Sequence, residues 1–233
     1  MRKMDKEAFL NAIKGKLIVS CQALEDEPLY DPYIMARMAV AAKEGGSVAI
    51  RANSPEQIAA IQKAAGLPVI ALYKRVYPDS EVFITPGMEE VEALMALKPE
   101  VIAMDATARP RHMGEQLEDF FARVRAKYPD QMFMADISTY EEAVEAERMG
   151  FDLVSTTLSG YTAYTEDCAF PNLDLMRRCS ENLKIPVIAE GGIWLPEELK
   201  ETMRAGVWAA VVGTAITRPR DITRRFIEVA GIK

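Results

Sequence analysis

Histidine is almost absent from this chain of 233 residues: it has one, His112. With no second imidazole, a histidine-built metal site or a Ser-His-Asp triad has little support. Cysteine is scarce as well. Cys21, Cys168 and Cys179 are odd in number and show no C-x-x-C spacing, so neither a disulfide framework nor a zinc site is indicated. Positive charge is in deficit, with 28 Lys and Arg against 35 Asp and Glu and a net charge of −7. That balance argues against nucleic acid or an anionic membrane surface as partner, and it means that an anionic ligand needs locally placed cations. The start, Met1-Arg2-Lys3-Met4-Asp5-Lys6, leads into no long apolar run. No signal peptide or spanning helix is visible, and a soluble cytoplasmic protein is expected. A G-x-G-x-x-G fingerprint after the first strand and a phosphate-loop motif are both missing, so no cofactor and no metal are expected.

What is present is alternation. Short apolar runs at 17–20, 48–51, 69–73, 101–105, 132–136, 153–156, 187–190 and 209–212 read as strands. Amphipathic stretches at 32–44, 55–65, 88–96, 116–127, 141–149, 173–182, 196–205 and 221–229 read as helices, the last starting at Asp221. The repeat is roughly 29 residues, the size of one βα unit. Gly45-Gly46, Gly66, Gly150 and Gly206 stand where helices end. Ser54-Pro55 and Thr85-Pro86 read as N-caps followed by proline, while Pro68 and Pro186 open strands. Continuous rather than alternating apolar strands fit a parallel sheet covered on both faces. Eight of them favour a single (β/α)8 barrel domain over 1–233, with an open doubly wound sheet as the alternative.

A barrel carries its chemistry where strands end. The residues there are Ser20 and Gln22, Arg51, Lys74 and Arg75, Asp105, Asp136 and Ser138, Thr156, Thr157 and Ser159, Glu190, and Gly213 with Arg218. The runs ending Ala189-Glu190-Gly191-Gly192 and Val212-Gly213-Thr214 present bare backbone N–H groups from two neighbouring strands. That arrangement suits a phosphate, with Arg218 as a bidentate partner. Lys74 follows an apolar strand. Partly desolvated and near Arg75 or Arg51, it suits a base with a lowered pKa; the plain alternative is a solvated lysine or a phosphate partner. Glu190 suits holding a lysine, positioning a hydroxyl or relaying a proton, or else a structural ion pair. Arg51 reads as a ligand contact or as a salt bridge to Asp105 or Asp136. Asp136 reads as a hydroxyl partner or a helix cap, although Ser138 or Thr139 is better placed to cap. The segment 158–170 is a lid or an ordinary ordered loop. His112 reads as a solvated loop residue or at most a substrate contact, and the tryptophans read as core fillers and amphipathic caps.

Several stretches together closely resemble the N-acetylmannosamine-6-phosphate 2-epimerase family. They are Leu17-Ile18-Val19-Ser20-Cys21-Gln22-Ala23-Leu24, Ala49-Ile50-Arg51-Ala52, Met134-Ala135-Asp136-Ile137-Ser138-Thr139, Ser155-Thr156-Thr157-Leu158-Ser159-Gly160-Tyr161-Thr162, Ile188-Ala189-Glu190-Gly191 and Val211-Val212-Gly213-Thr214-Ala215-Ile216-Thr217-Arg218-Pro219. The likeness runs from about Gly15 to Phe226. It implies a cofactor-free isomerase of sialic acid breakdown that converts N-acetylmannosamine 6-phosphate to N-acetylglucosamine 6-phosphate. It implies Lys74 and Glu190 as the catalytic pair, and Gln22, Arg51, Asp136, Gly213 and Arg218 as substrate contacts, beside the backbone of Gly191 and Thr214. It leans towards a homodimer, to which Ile222, Phe226 and Ile227 of the last helix suit a second subunit or the barrel itself. One departure stands out: members often carry a basic residue right after the Glu-Gly pair, where this chain has Gly192. The competing readings are a lysine Schiff-base aldolase of a phosphorylated sugar and a non-catalytic sugar-phosphate sensor.

Overall fold

The structure is a computed structural model that describes residues 4–232. The 1–233 domain range and the Met1-Arg2-Lys3 start reach into residues 1–3 and 233, which lie outside the described residues. The strands β1 (Leu17–Cys21), β2 (Ile50–Asn53), β3 (Val69–Leu72), β4 (Val101–Asp105), β5 (Met132–Asp136), β6 (Leu153–Ser155), β7 (Val187–Glu190) and β8 (Ala209–Val212) form a closed barrel in chain order. Every pairing is parallel, and Val19 opposite Val212 closes the ring. The open-sheet alternative is thereby set aside. The outer helices are α2 (Pro32–Glu44), α3 (Pro55–Ala65), α4 (Met88–Met95), α5 (Leu117–Lys127), α6 (Tyr140–Met149), α7 (Leu173–Asn182) and α8 (Pro196–Arg204), with a short α9 (Thr214–Thr217) and a final α10 (Pro219–Ala230).

Successive strand residues point alternately inward and outward, so one apolar run supplies two cores. Ile50, Ile102, Phe133 and Val154 pack outward under the helices. Ile18, Ile70, Ala103, Met134, Ile188 and Val211 fill the barrel itself. The inner core also takes Phe9 and Ile13 from α1 (Lys6–Ile13), a helix the strand–helix alternation did not predict. Asp5 caps it by accepting the Ala8 N–H at 2.8 Å. The Trp208 indole N–H donates to the Leu10 carbonyl at 2.9 Å, which ties α1 to the start of β8. The N-terminal end of the barrel is therefore plugged by side chains.

Local signals held in part. Gly66 and Gly150 are left-handed C-caps, and Thr139 with Glu142 makes a reciprocal capping box at α6. Ser54 occupies the N-cap position of α3 with Pro55 in the first turn, but it makes no side-chain cap bond: its φ is 65° and its hydroxyl is buried without a partner. Thr85 does not cap α4, which begins after Gly87; its hydroxyl donates to the Ala103 carbonyl at 2.6 Å. Asp221 lies inside the first turn of α10, which opens at Pro219. Ser54 and Thr85 both sit on backbone of positive φ, which composition does not reveal.

The loops after β3 and β4 are tied together beneath the mouth. The first is a narrow hairpin in which Lys74 bridges Ile84 and Tyr77 bridges Ser80. Buried Arg111 donates to the carbonyls of Pro86, Asp105 and Thr85 at 3.0, 2.7 and 2.9 Å, and its guanidinium lies over the Phe120 ring. His112 stacks on Tyr77 and pairs with Asp79 at 2.5 Å, so it clasps the two loops at the surface.

Candidate active site

A cavity of about 240 Å³ opens at the C-terminal ends of the strands. Lys74, Glu190, Gln22, Arg51, Gly191, Gly213, Thr214 and Arg218 all line it. Those eight come from β1, β2, β3, β7 and β8 or the loops that follow them, so barrel closure is what brings them together. Asp136 does not line the cavity. It lies behind Arg51, fully buried, and reaches the site through its neighbours. His112 is also outside the cavity lining, whereas Trp194 lines it rather than filling the core.

The centre is a charged network. Arg51, 1 % exposed, donates Nη1 to Asp136 Oδ1 at 3.0 Å and Nη2 to Asp136 Oδ2 at 2.6 Å. Its Nη1 also lies 3.2 Å from Glu190 Oε2. The Thr157 hydroxyl sits 2.8 Å from Asp136 Oδ1 and 3.1 Å from Glu190 Oε2, with a single proton to share between the two carboxylates. Thr156 bonds the backbone of Glu190 from both sides, donating to its carbonyl and accepting its N–H. Glu190 is thus held in place by the turn that follows β6. Its pKa is raised from 4.5 to about 7, chiefly by burial, with Arg51 opposing the rise and the Asp136 charge supporting it.

Lys74 is positioned by its backbone: its N–H donates to Asn53 Oδ1 at 2.8 Å. Its pKa is lowered from 10.5 to about 8, chiefly by burial and then by Arg218 and Arg51, with Glu190 and Asp136 opposing. The lowering follows the expectation, with one change of partner. Arg75 points away, to Glu89 at 2.7 Å and Glu90 at 3.2 Å. Arg218 takes its place.

Glycine turns and Arg218 line the same cavity. Gly191 and Gly192 both have positive φ, at 110° and 69°. α9 begins directly after Gly213, and the Gly213 carbonyl accepts the Ile216 and Thr217 N–H groups at 2.9 and 3.0 Å, which leaves the Thr214 and Ala215 N–H groups outside the helix's own bonding. Arg218 is held 3.3 Å from Glu27, which also takes Arg220 at 3.0 Å. The Gln22 amide donates to Ser20 at 2.8 Å and leaves its own oxygen unpartnered, as is Arg51 Nε. Among the described residues no cluster of His, Cys, Asp and Glu has the makings of a metal site, and no helix is long and apolar enough to cross a membrane.

The family model described as "Putative N-acetylmannosamine-6-phosphate epimerase" matches residues 35–231. The chain belongs to this epimerase family. A relative from Enterobacter sp. (strain 638), named "Putative N-acetylmannosamine-6-phosphate 2-epimerase", is 53% identical over 223 residues, 95% of either chain. One of the same name from Clostridium perfringens (strain SM101 / Type A) is 51% identical over 221 residues, 95% of this chain and 99% of its own. The solved N-acetylmannosamine-6-phosphate 2-epimerase from Clostridium perfringens superposes with a TM-score of 0.92 at 48% identity, covering 98% of this chain and 99% of that one.

Two residues that sequence reasoning passed over support this candidate site. Asn53 accepts the Lys74 backbone N–H, and Thr157 links Asp136 to Glu190. Thr157 stood among the strand-end polar residues without a role. Asn53 gave only the weak signal of a polar side chain closing a strand.

Proposed function

We propose that this chain interconverts N-acetylmannosamine 6-phosphate and N-acetylglucosamine 6-phosphate by inverting C2, without a cofactor, in amino-sugar breakdown in the cytoplasm. The observation that carries the mechanism is Lys74, a lysine lowered to about 8 in the same cavity as a carboxyl group raised towards neutrality. In the open-chain aldehyde the C2 proton is next to a carbonyl. Neutral Lys74 takes that proton, and the C–H electron pair moves into an enolate whose charge falls on the C1 oxygen. The ammonium so formed, with three donors, stabilises the oxyanion. A proton delivered to the opposite face of C2 restores the aldehyde with inverted configuration. Glu190, partly protonated near neutral pH, orients Lys74 or moves that proton. The phosphate binds at Gly191, Gly213, Thr214 and Arg218, with Gln22 and Arg51 towards the sugar, so that binding energy remote from C2 fixes geometry at C2. Asp136 serves by holding Arg51. The working unit is a homodimer: no residue of α10 is buried, and Phe226, at 73 % exposure, lies with Ile227 and Val229 on a helix that a second subunit would cover.

Turnover of N-acetylmannosamine 6-phosphate in deuterated water is expected to place deuterium at C2 of the product, read by proton NMR. Borohydride added during turnover is expected to leave no adduct on Lys74; a trapped adduct would favour the aldolase reading, and binding without turnover would favour the sensor. Thr157→Val is expected to lower kcat about tenfold at a folding cost of ~1 kcal/mol, because Glu190 then loses its hydroxyl partner. Steady-state kinetics beside a urea melt checks this, and an unchanged kcat would remove Thr157 from the site.

A further inference from the structure

The long segment after β6 is built rather than loose. The Tyr164 hydroxyl donates to Glu142 at 2.5 Å, the Gly160 N–H to Thr165 at 3.0 Å, and Asn172 to Ser159 at 2.9 Å. Its end carries Phe170, which does not line the cavity yet is wedged between Gly192, which does, and Gly160. A Cβ placed on Gly192 would stand 2.4 Å from Phe170 Cδ1, and one placed on Gly160 would stand 2.1 Å from Phe170 Cζ. The Phe170 ring also lies 5.7 Å from the ring of Tyr161, which does line the cavity.

We propose that Phe170 is a positioning residue for the anion-holding wall of the site. It packs across the bare Cα of Gly192 and against Tyr161, and so fixes the Gly191–Gly192 turn in one conformation. Two consecutive glycines lose more conformational freedom on ordering than any other pair of residues, and a ring laid across one of them removes that freedom before the ligand arrives. The same packing makes glycine obligatory at 192. No side chain, basic or otherwise, fits there while Phe170 is in place, and the backbone and Arg218 must hold the anion instead. The departure at Gly192 is thus the other half of a contact made by Phe170.

This inference rests on the phosphate reading of the Gly191 and Gly213 corner. The phosphate keeps its charge through the reaction and its remaining contacts still fix the geometry at C2 once it is seated, so loosening this wall weakens ground-state and transition-state binding together and the larger part of the effect falls on KM. Phe170→Ala is expected to raise KM for N-acetylmannosamine 6-phosphate roughly tenfold, to weaken inhibition by inorganic phosphate by the same factor, and to leave kcat within about twofold. Phe170→Leu, which keeps most of the packing, is expected to recover most of the loss. Gly192→Ala is expected to be far more damaging beside Phe170 than in the Phe170→Ala background, where only the strain of its positive φ remains. Unchanged KM and phosphate inhibition, a loss confined to kcat, or strictly additive effects of the two substitutions would overturn the proposal. Should Phe170→Ala lack a cooperative thermal transition, Phe170→Leu with Gly192→Ala carries the same cycle. Phosphate binding measured by calorimetry on the wild type and variants decides the matter even if the wild type turns over no sugar phosphate, a result that would instead defeat the assigned reaction.

Discussion

Lys74→Ala is expected to lower kcat by about three orders of magnitude while inorganic phosphate still binds, since the base is lost and the anion corner is untouched. The pH dependence gives a second reading of the same residue. Burial, with Arg218 and Arg51 close by, brings the Lys74 ammonium down from 10.5 to about 8. A lowered ammonium sheds its proton as pH rises through about 8, so wild-type kcat is expected to climb across that interval. The stability consequence has a definite sign. Between about 8 and 10.5 the unfolded chain holds the Lys74 proton and the folded chain does not, so Lys74 makes stability rise with pH there; below about 8 its burial is a standing cost. Removing it is therefore expected to leave the protein at least as stable at pH 7, and lost activity will not be lost folding. Stopped assays for product, thermal melts at pH 7 and a phosphate titration check the three parts. Near-native turnover in the alanine variant would show that the base is another group.

The barrel was legible because its physics is local and repeated. Each strand is a short apolar run that must be buried on both faces, each helix an amphipathic stretch that covers one, and glycine or proline marks the junctions. β4, β5, β7 and β8 fall where the apolar runs put them, whereas β2 begins two residues later, at Ile50, because pairing with β3 sets its register. α1 escaped because it belongs to no βα unit; its burial comes from plugging the barrel end, which only exists once eight strands have closed. The mouth was legible as a set of strand-end polar residues, since parallel closure delivers all strand ends to one face. What remained hidden is which of them meet. Arg51 was open between Asp105 and Asp136, and the choice depends on inward rotation of strands 85 residues apart. Asp105 goes instead to Arg109 at 2.7 Å, four residues along its own loop. Arg75, next to Lys74 in sequence, turns to Glu89 and Glu90, while Arg218, distant in sequence, faces the lysine. Gly192 looked like a lost cation until the ring of Phe170 was found across it.

The largest stability effect is expected at Asp136. With its carboxylate 0 % exposed and paired through two hydrogen bonds to a guanidinium almost as buried, Asp136→Ala leaves Arg51 charged, inside the protein, and short of its main partner. Breaking a buried pair from one side typically costs ~3–5 kcal/mol, because the remaining charge is uncompensated. Glu190, 3.2 Å away, is then the nearest remaining acid and is drawn towards Arg51, so activity is expected to fall as well. The two losses separate in the double variant Arg51→Met with Asp136→Leu. Replacing both charges by apolar groups of similar size removes the desolvation cost together with the attraction, so much of the stability is expected to return while turnover does not. Urea denaturation and kcat/KM on the same three proteins test this. A cost below about 1 kcal/mol for Asp136→Ala would mean that water reaches the pair. Recovered activity in the double variant would mean that Arg51 orders the barrel mouth without serving the reaction. Under the proposed mechanism the pair does both: Arg51 lies 3.2 Å from Glu190 and keeps it in the cavity that Lys74 shares, a task that would explain a buried ion pair which apolar residues could replace for stability alone.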